Sequence, residues 1–215
     1  MIRFKICCIN SINEANLAIR YGAHAIGLVG KMPSGPGPIE DSLITTIARS
    51  VPPLISTFLL TSESKASGII EHHKRTQTNT IQLVDELEDL AYEKIRIALP
   101  EIKLVQVIHV IDHKSIDHAI KISQYVDAIL LDSGNPNLKV KELGGTGRVH
   151  DWKLSREIVE RVPIPVILAG GLNPTNVKEA IKVVQPFAID VCSGLRKNGY
   201  LDETLLRAFT ESLVI

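Results

Sequence analysis

Two short segments near the carboxy-terminal end, Leu168-Ala-Gly-Gly-Leu-Asn-Pro174 and Asp190-Val-Cys-Ser-Gly194, each close a short apolar run with small, glycine-bearing residues. Glycine lets a backbone approach an anion closely, a serine hydroxyl adds a donor, and a helix that starts next turns unpaired N–H groups toward the same point. Two such turns after consecutive strands predict one phosphate site. Further toward the amino terminus, Cys7 ends the run Arg3-Phe-Lys-Ile-Cys7 and Asp132 ends Ala128-Ile-Leu-Leu-Asp132. A thiol and a carboxyl on either side of a small substrate can remove a proton at one atom while delivering one to another, as an aldose-to-ketose isomerisation requires. The thiol must then ionise below its reference value near ~8.5, and the carboxyl must stay protonated through burial or a neighbouring anion.

The elements that must position these groups alternate along the whole chain. Strands are expected at 3–7, 25–29, 54–60, 80–84, 103–110, 128–132, 166–169 and 188–191. Helices are expected at 11–21, 40–50, 64–76, 90–99, 113–123, 153–161, 175–184 and 202–212, the first capped by Ser11 and stopped at Gly22. Eight strand–helix units of about 27 residues, with short apolar strands suited to a sheet buried on both faces, predict one (β/α)8 TIM barrel spanning residues 1–215. An open doubly wound sheet satisfies the same alternation and is the competing architecture. In the barrel, the loops after strands seven and eight are where a phosphate site sits, and catalytic residues come from strand ends on that face.

At 215 residues, 45% hydrophobic and 22% charged, the chain suffices for one well-buried core. The formal net charge of zero gives no field that favours nucleic acid or an anionic membrane. The opening residues are too short and too charged for a secretory apolar core, and no apolar run approaches the ~18 residues a membrane span needs, so a cytoplasmic protein is expected. Three cysteines, Cys7, Cys8 and Cys192, lack the paired spacing of a zinc site.

Lys5-Ile-Cys-Cys8, Leu130-Leu-Asp132, Gly144-Gly-Thr-Gly147 with Asp151-Trp152, Leu168-Ala-Gly-Gly-Leu-Asn-Pro174 with Asn176-Val177, and Asp190-Val-Cys-Ser-Gly194 occur in order over nearly the whole chain. Together they resemble the phosphoribosylanthranilate isomerase family of tryptophan biosynthesis. The resemblance implies a (β/α)8 barrel and an Amadori rearrangement of N-(5-phosphoribosyl)anthranilate to a carboxyphenylamino-deoxyribulose phosphate, with neither metal nor organic cofactor. Carried over by motif, Cys7 is the implied general base and Asp132 the implied general acid. Gly170, Gly171, Ser193 and Gly194 would hold the phosphate, with Asp190 and Asn173 near the sugar or bracing the turns. Gly144 to Gly147 would form a mobile flap. The expected partner is a small phosphorylated sugar, with no nucleic acid or membrane; homodimerisation is left open.

Each of these residues also has a plainer reading. Asp132 can cap a strand end, and Gly170-Gly171 can simply make a tight turn. His72-His73 reads as a solvated helix face, His109 as a structural histidine, Trp152 as a packing anchor at a helix start, and Cys192 as a packed thiol. Departures from the family pattern concentrate at the other end of the site. The loop Gly30-Lys-Met-Pro-Ser-Gly-Pro-Gly-Pro38 carries no arginine where the family usually has one, strand four ends Ile81-Gln-Leu-Val84 in place of Gln-Leu-His-Gly, and Cys8 replaces a usual glycine. Arg148 and His150 stand where the family tends to have lysine and an aromatic. Lys31, Arg148 or Arg196 would have to meet the aromatic carboxylate. The alternatives are a barrel that isomerises or binds another phosphorylated sugar amine, and a non-catalytic sugar-phosphate sensor.

Overall fold

In the computed structural model, which describes residues 2–88 and 90–213, eight parallel strands pair in chain order. They are β1 (Arg3–Ile6), β2 (Ala25–Val29), β3 (Ser56–Thr61), β4 (Thr80–Leu83), β5 (Lys103–His109), β6 (Ala128–Asp132), β7 (Val166–Leu168) and β8 (Ala188–Val191). β1 pairs with both β2 and β8, which closes the barrel and excludes the open sheet. The outer ring is α1 (Ile12–Arg20), α2 (Asp41–Ser50), α3 (Ala66–Thr76), α4 (Ala91–Ala98), α5 (Lys114–Ile122), α6 (Trp152–Arg161), α7 (Val177–Val184) and α8 (Glu203–Ser212). No helix among the described residues is long and apolar enough to cross a membrane.

The two-residue period of a strand separates two cores. Phe4, Ile6, Ile26, Leu28, Leu59 and Ile81 point outward and pack against the helices, with Phe4 edge-on to Phe209 of α8. Phe58, Leu60, Val105, Val107, Leu130 and Ile167 fill the interior. On β1 the same alternation that buries Phe4 and Ile6 outside directs Lys5 and Cys7 inside, so the chemistry-bearing side chains are placed by the pattern that builds the barrel.

Where expectation and structure differ, local chemistry explains it. β3 begins at Ser56 because Pro52-Pro53 leads into a turn in which the Ile55 N–H bonds the Pro52 carbonyl, leaving Leu54 exposed. α7 begins at Val177 because the Asn173 side chain accepts from the N–H groups of Thr175 and Asn176 and holds those residues in a turn. A short 3-10 turn at Ser193–Leu195 and a hairpin of β9 (Arg196–Lys197) and β10 (Tyr200–Leu201) were not anticipated. His72 is not on a solvated face. It is buried, its Nδ1 is 2.9 Å from Thr61 Oγ1 and its Nε2 is 3.0 Å from Asp41 Oδ1, a bridge that ties α3 to β3 and α2. Gly30 makes room for it, since a Cβ there would lie 2.3 Å from the imidazole.

Candidate active site

A cavity opens at the carboxy-terminal ends of the strands. Cys7, Asp132, Asp190, Gly170, Gly171 and Ser193 all line it. Cys7 follows the last residue of β1 and is fixed by its N–H, which donates to the Val191 carbonyl at 2.8 Å. Asp132 is the last residue of β6, three strands away around the closed sheet. The thiol and the carboxyl thus reach one space from separate walls.

The electrostatics around Cys7 favour its thiolate. The thiols of Cys192 and Cys8 on one side and the Lys5 ammonium on the other outweigh burial and hold Cys7 well below the usual thiol value. Lys5 is itself buried, with Nζ 2.7 Å from Asp190 Oδ2 and 5.3 Å from the centre of the Phe58 ring. Burial pulls its pKa down, but the charges of Asp190 and Cys7 outweigh that and keep it above its ordinary value. Gly27 on β2 leaves the gap between them: a Cβ there would lie 2.9 Å from Cys7 Sγ and 3.1 Å from Lys5 Nζ.

Asp132 is pushed the opposite way. Burial raises its pKa and the neighbouring Cys7 adds to the rise, opposed by the Ser133 N–H and by His109. Its Oδ1 accepts from the Ser133 N–H at 2.7 Å, while Oδ2 faces Gly144, whose Cβ would approach it to 2.6 Å. The two shifts are opposed: the thiol is lowered and the carboxyl raised. His109 donates from Nε2 to the Val84 carbonyl at 3.3 Å and does not line the cavity.

The two glycine turns meet at one side of the cavity. Gly170 and Gly171 have φ of 81° and 64°, and a Cβ on Gly171 would press against the Arg148 carbonyl at 2.6 Å. Gly194 does not line the cavity; its Cβ would collide with the Leu172 carbonyl, so it lets the two turns pack together. Asn173 braces the first turn, through the Thr175 and Asn176 N–H groups, and does not reach the cavity. Asp190 lines it from beside Lys5. The segment Gly144 to Gly147 covers the mouth, with positive φ at Gly144, Gly145 and Gly147, and meets the loop after β2 where Gly145 faces Pro36.

The remaining wall is mostly apolar, with Val29, Met32, Leu60, Val84 and Leu143, joined by the polar Ser34, Gln82 and Thr146. Neither Lys31 nor Arg148 lines the cavity: Lys31 is exposed beside Met32, and the Arg148 guanidinium pairs with Glu142. Arg196 is committed elsewhere. It is held by Glu14 and donates to the carbonyls of Cys7, Cys8 and Gly199, clamping the backbone that carries the thiol. That clamp was missed in the sequence, although Asn198-Gly199 between two-residue flanks is the hairpin signal that aims Arg196. Cys192 does more than pack, since it lines the cavity and touches Cys8.

Comparison with known proteins agrees with this geometry. Residues 4–212 match the family model described as N-(5'phosphoribosyl)anthranilate (PRA) isomerase. Over 205 residues the chain is 40% identical to N-(5'-phosphoribosyl)anthranilate isomerase 2 of Methanosarcina mazei, covering 94% of this chain and 89% of that protein. It is 33% identical to the isomerase of Methanocella arvoryzae, covering 99% and 98%. Among solved structures, phosphoribosyl anthranilate isomerase from Thermotoga maritima superposes with a TM-score of 0.82 at 29% identity, covering 99% of this chain and 98% of that one. A phosphoribosyl anthranilate isomerase in complex with reduced 1-(o-carboxyphenylamino)-1-deoxyribulose 5-phosphate superposes with a TM-score of 0.80 at 27% identity, with the same coverage. The chain belongs to the N-(5'-phosphoribosyl)anthranilate isomerase family.

Proposed function

We propose that the protein isomerises N-(5-phosphoribosyl)anthranilate to 1-(2-carboxyphenylamino)-1-deoxyribulose 5-phosphate, with Cys7 as base and Asp132 as acid. The observation that carries this reading is that a thiol favoured as thiolate and a carboxyl favoured as acid reach one cavity from β1 and β6, beside two glycine turns. The phosphate is held at Gly170, Gly171, Ser193 and the adjoining Gly194, which anchors the pentose with its ring between the two catalytic groups.

Asp132 gives its proton to the ring oxygen as the furanose opens, leaving an iminium at C1 that makes the C2 proton acidic. Cys7 removes that proton, and its electron pair forms the enolamine. Tautomerisation then yields the ketone. Lys5 compensates the charge of the thiolate before the step, and the segment from Gly144 to Gly147 excludes water over Asp132. Asp190 lies at the sugar while paired to Lys5. The apolar wall of Val29, Met32, Leu60 and Val84 takes the aromatic ring, and its carboxylate points to the rim, where Lys31 and Arg148 are the nearby cations in the chain.

The test is an assay with freshly prepared phosphoribosylanthranilate, following the loss of its fluorescence. Cys7→Ser and Asp132→Asn should each abolish turnover while the product analogue still binds. Gly171→Asp should raise KM, through its charge and its clash with the Arg148 carbonyl. Turnover that survives both catalytic substitutions would sink the assignment.

A further inference from the structure

Three thiols meet at the cavity, yet the isomerisation uses only Cys7. Cys8 and Cys192, 184 residues apart in sequence, have their sulfurs in contact at 2.7 Å. The scaffold holds them there: the Cys7 N–H is bonded to the Val191 carbonyl, and Arg196 grips the carbonyls of Cys7 and Cys8. Cys8 also sits at φ 62°, a left-handed backbone that strains a residue with a Cβ and that glycine adopts readily. The thiol so displayed contacts the Pro36 carbonyl, weakly at 3.5 Å, and Cys192.

We propose that Cys8 and Cys192 form a resolving pair for Cys7: when Cys7 is oxidised, the oxidation passes to them, leaving Cys7 a free thiol beside a Cys8–Cys192 disulfide. Cys7 is held toward its thiolate and reacts first, while Cys8 and Cys192, whose thiols are held protonated, line the same cavity. With a peroxide as oxidant, the Cys7 thiolate attacks one peroxide oxygen, the O–O bond breaks, and a sulfenic acid and one hydroxide result. Cys192 sulfur then displaces the sulfenic oxygen; an S–S bond forms, the S–O bond breaks, and a water leaves with the Cys192 proton. Cys8 sulfur attacks Cys192 and releases Cys7 as thiolate, and the proton Cys8 gives up turns the hydroxide into the second water. In sum, two electrons from Cys8 and Cys192 reduce one peroxide to two waters, and Cys7 ends as it began. Without the pair, a second peroxide would drive Cys7 to the irreversible sulfinic acid.

The inference depends on the isomerase reading only for its activity readout; the chemical map below stands without it. Full-length protein is treated with graded hydrogen peroxide without reductant, alkylated, digested and sequenced by fragmentation mass spectrometry. The expected product is a disulfide between Cys8 and Cys192 with the alkyl label on Cys7, and activity that dithiothreitol restores. Cys192→Ser, measured against its own untreated activity, should accumulate Cys7 sulfinic acid at peroxide doses where the parent has none, with a loss that dithiothreitol does not reverse, whereas Cys8→Gly should stop at a Cys7–Cys192 disulfide, with a loss that dithiothreitol does reverse. Equal Cys7 sulfinic acid in the parent and Cys192→Ser, or a final disulfide in the parent that retains Cys7, would overturn the proposal.

Discussion

Lys5 and Asp190 face each other across the β1–β8 register inside the barrel, Nζ to Oδ2 at 2.7 Å, with side chains only 3% and 7% exposed. An ion pair this deep is costly to break from one side, because the partner left behind is a buried, uncompensated charge. Lys5→Met should therefore lower unfolding free energy by about 3–5 kcal/mol. The double variant Lys5→Met, Asp190→Leu removes both charges and should regain most of that loss. Denaturant titration of the parent, the two single variants and the double variant gives the coupling directly. Single variants as stable as the parent would show that the pair contributes nothing to the fold.

The pH dependence of kcat/KM follows from the opposed shifts of Cys7 and Asp132. In the proposed mechanism the reacting form has Cys7 deprotonated and Asp132 protonated. The rate depends on Cys7 losing its proton, at a pKa held well below the ordinary 9.0 of a thiol. It depends equally on Asp132 keeping its proton, at a pKa raised above the ordinary 3.8. Lys5→Met takes a cation from beside the thiolate and should move the ionisation of Cys7 to higher pH. Titration of the thiolate by its ultraviolet absorbance, beside a steady-state profile, checks this, and a Cys7 ionisation unmoved in that variant would detach Lys5 from the thiol.

His150 links pH to stability rather than to rate. Burial drives its pKa down from 6.5 to about 4, against the nearby charge of Asp151, and its Nε2 lies 2.7 Å from Ser155 Oγ. Unfolding returns the imidazole to water, so between about pH 6.5 and 4 the unfolded chain binds the extra proton and stability falls as pH falls. The full shift corresponds to about 3 kcal/mol, present above the unfolded value and lost by the folded one. His150→Phe should flatten that part of the stability profile. An unchanged slope between the two pH values would assign it to other groups.

The fold was legible because strand alternation and glycine stops are local and recur in every unit, as at Ala25–Val29 and Ala128–Asp132, where expected and observed strands coincide. That Cys7 and Asp132 face one cavity was legible because each sits at a strand end. Contacts between distant segments were not. His72 reads as one of two histidines on a polar helix until Asp41 and Thr61 close around it, and Arg196 reads as a free cation until Glu14 claims it. The Cys8–Cys192 contact spans nearly the whole chain, and only closure of β1 against β8 brings it about.

The same closure leaves the aromatic end of the cavity without a lysine or arginine among its described lining residues. A carboxylate on the ring must then be met from the rim. Lys31, in the loop before Met32, carries no ion pair among the described residues, whereas Arg148 must release Glu142 to reach inward. Lys31→Ala should therefore raise KM for phosphoribosylanthranilate several-fold, the scale of an exposed charge pair worth up to about 1 kcal/mol. Arg148→Ala should raise it less. Lys31→Arg should lower it, because a guanidinium grips a carboxylate with two parallel hydrogen bonds that an ammonium cannot make. The control is the corresponding phosphoribosyl aniline, which has the ring without the carboxylate and whose KM should not respond to any of the three. If Arg148→Ala alone raises KM for the carboxylated substrate, the contact belongs to Arg148 and the Glu142 pair must open on binding. If the aniline substrate responds equally, the substitutions act on the loop rather than on the charge.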